Sequence, residues 1–582
     1  MQPILSIKDL CIQFRNDGII NPAVNSISFD VAKGEILAIV GESGSGKSVT
    51  ALSILQLLPP NNFISGEIHF SGENLLPVDL LKMPFSSMKK IRGKHISMIF
   101  QEPMTSLNPV LNCGEQVSEV IRLHKKTTGM NARKMTLDLF EKVKLPEPSS
   151  VYHRYPHQLS GGQKQRVMIA MAMSCSPRLL IADEPTTALD VTMQGSILEL
   201  IKELQIQNDM GVIFITHDLG VVNDIADRII VLYRGKIVEQ GSTKNIFQNA
   251  RHPYTRALLA CRPANQPKGK RLPLINDFMN EAGQERTPAE RSDQQYSSDH
   301  LINKLPNDEQ VKATASIVLE VKHISVSFPL RKGVFGRPGA FFKAVDDVSF
   351  SVRKGETIGL VGESGCGKTT LGRCILQLIK PVTGEIMLNG RNITTSSPAK
   401  LRHMRKDLQI VFQDPYGSLN PRIAIGNAIL EPLKMHGLFG SNSERKRKVM
   451  EMLEKVSLQP DHYNRYPHQF SGGQRQRICI ARALVLDPAF LVFDESVSAL
   501  DVSVQAQVLN LLNDLKAEFG FTSIFISHDL SVVHYCCDRI LVMHKGSIVE
   551  SGDSDQVYHR PGNEYTQRLI AAIPGRKVFQ SH

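Results

Sequence analysis

Two stretches of this 582-residue chain could cradle phosphate. The first is Gly41-Glu42-Ser43-Gly44-Ser45-Gly46-Lys47-Ser48, followed by Val49. The second is Gly362-Glu363-Ser364-Gly365-Cys366-Gly367-Lys368-Thr369, followed by Thr370. Glycines at these positions let backbone N–H groups turn inward around phosphate oxygens, and a following helix adds its positive N-terminus. Lys47 or Lys368 would reach the β- and γ-phosphates, and Ser48 or Thr369 could ligate Mg2+. Each stretch follows an apolar run, GEILAIVG or GETIGLVG, and opens a segment of helical pattern. That strand-loop-helix context is what the motif needs to mean anything.

Other chemistry-bearing residues come in pairs too. Asp183 and Asp494 each end an apolar run and are followed by Glu184 and Glu495. A carboxylate at a strand tip suits Mg2+ coordination, and an adjacent glutamate suits a base that polarises water. His217 and His528 also end apolar runs, as do Gln101 and Gln413. The histidines sit where α/β sheets carry their active edges, and become candidate contacts to a γ-phosphate. A second glycine phrase, Ser160-Gly161-Gly162-Gln163, returns as Ser471-Gly472-Gly473-Gln474. Serine and glycines ahead of apolar residues at helical spacing make a second anion-binding turn. Each half therefore holds two phosphate cradles and one lysine-bearing loop.

The elements that must position these residues are duplicated. From Ser160/Ser471 through Asp183/Asp494 to His217/His528 the offset is a constant 311 residues. Elsewhere it drifts, most visibly in the Gly/Pro-rich PLRKGVFGRPGAFF, which reads as a loop. Short apolar runs such as RLLIAD, GVIFITHD, AFLVFD and TSIFISHD read as buried strands alternating with helices. This argues an α/β fold with a largely parallel sheet in each half. Residues 1–262 and 317–582 are the two domains expected. The polar stretch 263–316 between them reads as a flexible linker in which RLPLI could pack locally.

Composition narrows the class. The hydrophobic fraction is 42% and the charged fraction 21%, ordinary for a globular protein. No run approaches the roughly 18 apolar residues of a spanning helix, and MQPILSIKDL does not read as a secretory signal. The chain is expected to stay in the compartment that makes it. A net charge of +11 is dilute over this length, and no Lys/Arg block carries interleaved aromatics, so nucleic acid is not an expected partner. The nine cysteines form no CxxC pair and read as reduced thiols. Cys366, inside the second loop, would make the site sensitive to thiol reagents.

With GESGSGKS, FQEPMTSLNP, SGGQ, IADEPTTALD and FITHDL in one order, twice, the chain resembles the nucleotide-binding domains of ATP-binding cassette (ABC) transporters. The resemblance implies two tandem P-loop NTPase domains, each a mainly parallel core sheet with a helical subdomain and an antiparallel β subdomain. ATP and Mg2+ are the implied cofactors. It also implies an intramolecular head-to-tail pairing, with the Lys47 loop facing Ser471, Gly472 and Gly473 and the Lys368 loop facing Ser160, Gly161 and Gly162. Phe14 and Phe328 are then candidates for stacking on adenine. Gln101 and Gln413 would sense Mg2+ and water, and Asp190 and Asp501 would join the two sites.

FQDPYGSLNP, YPHQLSGG and HPYTRALL look more narrowly like the dipeptide/oligopeptide/nickel importer subfamily, with D-type and F-type halves fused as in the glutathione- and microcin-type importers. The implied partners are two membrane-spanning permease subunits and an extracytoplasmic solute-binding protein. The implied location is the cytoplasmic face of a bacterial inner membrane. A soluble twin-cassette protein acting on ribosomes or DNA is the alternative. It predicts a charged helical linker or inserted zinc-finger cysteines, which the sequence lacks. Two departures stand out. Ser496 occupies the place of Pro185, which predicts a less rigid and slower second site. NEYTQRLI at Asn563 is a degenerate copy of HPYTRALL.

Overall fold

The computed structural model describes residues 3–16, 19–72, 75–101, 106–187, 189–280, 283–286, 316–329, 341–498 and 500–575. The tip of the PLRKGVFGRPGAFF loop and most of the stretch between the domains lie outside them.

In each half, five-residue runs such as Ile36–Val40 (ILAIV) and Leu179–Asp183 (LLIAD) are buried at every position. A strand with no wet face must be covered on both sides, which is the environment of a parallel sheet. The first half accordingly builds a six-stranded sheet in the order Lys236–Ser242, Arg228–Tyr233, Ile36–Val40, Gly211–Thr216, Leu179–Asp183, Ile96–Ile99. All its neighbours pair in parallel except the outermost hairpin. The second half repeats the order with Ser547–Asp553, Arg539–His544, Thr357–Val361, Thr522–Ile526, Phe490–Asp494 and Leu408–Val411. A four-stranded antiparallel sheet flanks each core, built on Leu5–Asn16 in one half and Ile317–Pro329 in the other.

The helical layer is packed as closely as the sheets. Helices Cys113–Lys125, Gly129–Lys142 and Gly161–Met173 bury Val117, Ile121, Phe140 and Val167 together. Gly114 lies under the Tyr152 ring, where a Cβ would come within 2.1 Å of Cδ2, and Gly426 lies the same way under Tyr463. Only glycine lets the ring approach the helix so closely.

The stretch beginning at Pro263 behaves differently from a free linker over its described part. Cys261 and Leu272 are buried in the hydrophobic core of the second half. Leu272 N–H donates to Asn510 Oδ1 at 2.9 Å, and Asn510 Nδ2 donates to Leu272 O at 2.8 Å. Arg271 Nη1 reaches both oxygens of Asp514, at 3.1 and 2.9 Å, and Tyr535 donates its hydroxyl to Lys270 O at 2.8 Å. In return, Gly575 N–H donates to Asp224 Oδ2 at 3.2 Å in the first half. The anchor falls in RLPLI, the one part of the stretch expected to pack, with Leu274 and Ile275 also against that core; the backbone bonds that fix it are what composition does not register.

Asn510→Ala would strand the Leu272 peptide groups in a dry core. It is expected to destabilise the second half by about 1–3 kcal/mol, read as a lowered unfolding temperature by calorimetry. Asp514→Ala breaks an exposed ion pair and is expected to cost under ~1 kcal/mol.

Candidate functional site

The strand Ile36–Val40 leads into the first glycine-rich loop, and the helix Lys47–Ile54 leaves it through Gly46 at φ 102°. Lys47 is buried, and its ammonium donates to Gly41 O at 2.7 Å and Glu42 O at 2.8 Å. Lys368 does the same to Gly362 O and Glu363 O, at 2.8 and 2.9 Å. Gly44 and Gly365 are left-handed, φ 78° and 79°, with open space where a Cβ would point. The loops are thus folded back on their own lysines with a concave face turned outward.

Around each loop the structure gathers the residues singled out from the sequence. Ser48 Oγ donates to Asp183 Oδ1 at 3.0 Å, and Thr369 Oγ1 to Asp494 Oδ1 at 2.9 Å. Burial, with the neighbouring Glu184 charge, pushes Asp183 up to about 6, and burial raises Asp494 in the same direction. A hydroxyl and a carboxylate side by side, with the carboxylate short of compensating positive charge, is a donor set that fits Mg2+.

Glu184 is the hub of the first site. Gln101 Nε2 reaches its Oε2 at 3.0 Å, Thr187 Oγ1 donates to the same oxygen at 3.0 Å, and His217 Nδ1 lies 3.1 Å from Oε1. Burial alone would raise this carboxyl; His217, Thr187 and Lys47 together outweigh it and hold it down at about 2. Burial works against the His217 imidazolium, but Glu184, Asp501 and Asp218 raise it overall. The second site is looser. Gln413 Nε2 donates to Glu495 Oε2 at 2.8 Å, yet His528 Nδ1 stands 3.7 Å away. Ser498, where the first half has Thr187, leaves its buried hydroxyl without a partner.

Both glutamates are left-handed, at φ 47° and 48°. A non-glycine residue there carries of order 1–3 kcal/mol of strain, held only if its surroundings over-determine it. Here the backbone N–H of Glu184 is fixed to Ile215 O at 2.9 Å and that of Glu495 to Ile526 O at 3.0 Å. The strain turns each side chain from its strand tip toward the histidine and glutamine.

Ser160 and Ser471 cap helices Gly161–Met173 and Gly472–Leu484, accepting from Gln163 N–H and Gln474 N–H, each at 3.3 Å. The glutamines answer as capping boxes. At the glycine-rich loops the halves meet through the aspartates. Ser43 N–H donates to Asp501 Oδ2 at 3.0 Å, and Ser364 N–H to Asp190 Oδ2 at 3.1 Å. Ser503 adds a hydrogen bond to the Glu42 carboxylate.

Beside Lys368 lies a cavity of about 440 Å³, lined by Phe328, Phe342, Gln413, Glu495 and His528, and from the first half by Thr187, Leu189 and Asp190. Ser160, Gly161, Gly162 and Gln163 are not among its lining. Phe14 is half-buried against its own sheet cluster. Phe342 pairs with Phe328 across the strands, where the first half pairs Asn21 with Phe14. Sequence reading missed Phe342, Thr187 and Ser503; a hydroxyl three residues after the acidic residue was the visible signal for Thr187.

Cys366, expected from the sequence to make the second site sensitive to thiol reagents, sits where the packing works against that reactivity. Its thiol is buried, and burial raises it above the usual thiol range. The thiolate that alkylation needs is therefore suppressed.

Residues 24–187 and 345–498 match the family described as ABC transporter. The chain belongs to the ABC transporter family. Residues 238–287 further match the oligopeptide/dipeptide transporter C-terminal region, placing this ABC ATPase in that branch. The glutathione import ATP-binding protein GsiA of Salmonella choleraesuis (strain SC-B67) is 48% identical over 578 residues, covering 98% of this chain and 89% of the relative. Its namesake from Escherichia coli O157:H7 is 48% identical over 583 residues with the same coverage. A dimeric ATP-binding cassette in a post-hydrolysis state with ADP and Pi is 27% identical, covering 40% of this chain and 98% of its own, with a TM-score of 0.37. The peptide-transporter reading stands, and the soluble twin cassette does not. Among the described residues no helix is long and apolar enough to cross a membrane.

Ser496 is buried with an unpartnered hydroxyl at the place Pro185 fills in the first half. Ser496→Pro is expected to raise stability by about 1 kcal/mol, from the lost orphan hydroxyl and the stiffer unfolded chain. A rise in unfolding temperature checks it.

Proposed function

We propose that this ABC ATPase drives import of small peptides, glutathione among them, from the cytoplasmic face of a bacterial inner membrane. Two permease subunits and an extracytoplasmic binding protein would complete the importer. The supporting observation is the crossed pair of hydrogen bonds by which Asp501 and Asp190 each hold the phosphate loop of the opposite half. A loop tied to the other half's aspartate reports to that half whether its own cradle is filled.

In this reading ATP binds along the Lys47 and Lys368 loops, with Phe328 and Phe342 against adenine in the second site and Phe14 the candidate in the first. Ser48 and Asp183, or Thr369 and Asp494, would hold Mg2+, with Gln101 or Gln413 beside it. Bound there, the ion would offset charge on the β- and γ-phosphates. Glu184 and Glu495 orient and polarise the attacking water, and His217 and His528 hold the glutamates and meet the γ-phosphate. The capped helix N-termini at Ser160–Gln163 and Ser471–Gln474 supply anion-binding N–H groups to the opposite triphosphate. Closing on that phosphate would draw the halves together, and product release would let them part.

Glu184→Gln and Glu495→Gln are each expected to cut ATP turnover at least tenfold while nucleotide still binds, and the double variant to abolish it. Ordinary turnover in the double variant overturns the assignment. Uptake of labelled glutathione, dipeptides and nickel by cells carrying the wild-type or double-variant gene tests the cargo.

A further inference from the structure

One peptide unit in each phosphate loop is gripped from both sides. Between Gly41 and Glu42, the carbonyl accepts the Lys47 ammonium at 2.7 Å, and the N–H donates to the Tyr254 hydroxyl at 3.0 Å. Between Gly362 and Glu363, the carbonyl accepts Lys368 at 2.8 Å, and the N–H donates to the Tyr565 hydroxyl at 3.1 Å. These tyrosines come from helices Pro253–Ala260 and Glu564–Ala571, which follow the core sheet, carry the HPYTRALL and NEYTQRLI segments and contain none of the residues assigned to nucleotide or metal.

Each tyrosine is itself held in place. Tyr254 is fully buried, its ring 4.3 Å from that of Tyr233, and Tyr565 lies 4.0 Å from the His544 ring. The helix starts are anchored alike. His252 Nδ1 accepts from Tyr254 N–H at 3.2 Å, and Asn563 Oδ1 from Tyr565 N–H at 2.8 Å. Glu239 takes the N–H groups of Arg251 and His252, and Glu550 those of Gly562 and Asn563. HPYTRALL and NEYTQRLI differ at five of eight positions and share only the tyrosine, the threonine and one leucine. What the second copy keeps includes the hydroxyl that reaches the loop.

We infer that Tyr254 and Tyr565 are positioning residues that set the lysine-bearing peptide of each phosphate loop before nucleotide arrives. Rotation of that peptide would break the tyrosine bond and the lysine bond together. With it fixed, the lysine is aimed without an ordering cost at the moment of binding. The helix after the core sheet thereby gains a role in nucleotide affinity, and the degenerate second copy retains it. This rests on the ATP-binding reading above and deepens it.

The test uses the full chain and a fluorescent ATP analogue, with turnover measured in parallel. Tyr254→Phe and Tyr565→Phe keep the ring and its packing and remove only the hydroxyl, which at Tyr254 also bonds the Glu42 carboxylate. Each is expected to weaken nucleotide binding at its own site by about three- to tenfold, with kcat at saturation within about twofold. Thr255→Val removes a buried, unpartnered hydroxyl from the same helix turn and is expected to leave affinity unchanged. Wild-type affinity in both phenylalanine variants overturns the inference, and so does an equal loss in Thr255→Val, which would make the effect one of helix stability. A fall in kcat with affinity intact overturns it as well. Failure of the wild-type chain to bind the analogue, or binding undiminished by Lys47→Ala with Lys368→Ala, would instead sink the ATP reading itself.

Discussion

Lys47 is 5% exposed and Lys368 4%. An ammonium taken that far from water is costly unless acceptors surround it. Burial lowers Lys47 from its ordinary value, and four carboxylates pull the other way: Glu184, Asp501, Asp183 and Glu42. Three belong to its own half. Asp501 belongs to the other. The Lys47 charge is therefore balanced partly from across the interface. The strand-tip Asp183, the left-handed Glu184 and the crossing Asp501 all compensate that one buried cation.

The duplication is faithful in geometry and unequal in detail. Lysine, hydroxyl, aspartate and glutamine distances agree between the halves to within about 0.2 Å. The differences collect around the strand-tip glutamates. The Thr187 hydroxyl bonds Glu184, whereas the Ser498 hydroxyl has no partner; His217 is 0.6 Å closer to its glutamate than His528. Ser503 reaches Glu42, while Thr192, its counterpart, leaves a buried hydroxyl unpartnered. The first site is the better satisfied. Ser496, read in the sequence as a softening of the second loop, adds a further buried hydroxyl without a partner to that site.

Local motifs were legible because their chemistry is local. A glycine-rich turn between a buried strand and a helix needs neighbours in sequence, and the parallel sheet follows from runs with no polar alternation. Of the residues that evaded sequence reading, Tyr254 and Ser503 make contacts over long distances in the chain. Tyr254 lies 212 residues from the loop it touches, and Ser503 461 residues from Glu42. No periodicity marks such a tyrosine. The burial of Cys366 was hidden for the opposite reason, since position inside a loop suggested access, and only the packing around the loop shows it. The left-handed φ of Glu184 is invisible because the residue type gives no warning of it.

The docked stretch after Cys261 explains why fusion changes the physics of such a pair. Two separate chains would meet at a rate and affinity set by concentration, whereas a short tether holds the second partner at an effective concentration in the millimolar range. Here the tether begins with residues already buried in the partner's core, Cys261 and Leu272. That contact lies behind the helices Val502–Phe519 and Leu530–Cys536, on elements that run directly from Asp501 and from the loop after His528. The seam that keeps the halves together is thus built onto two helices, one starting at the cross-contact of Asp501 and the other just after His528.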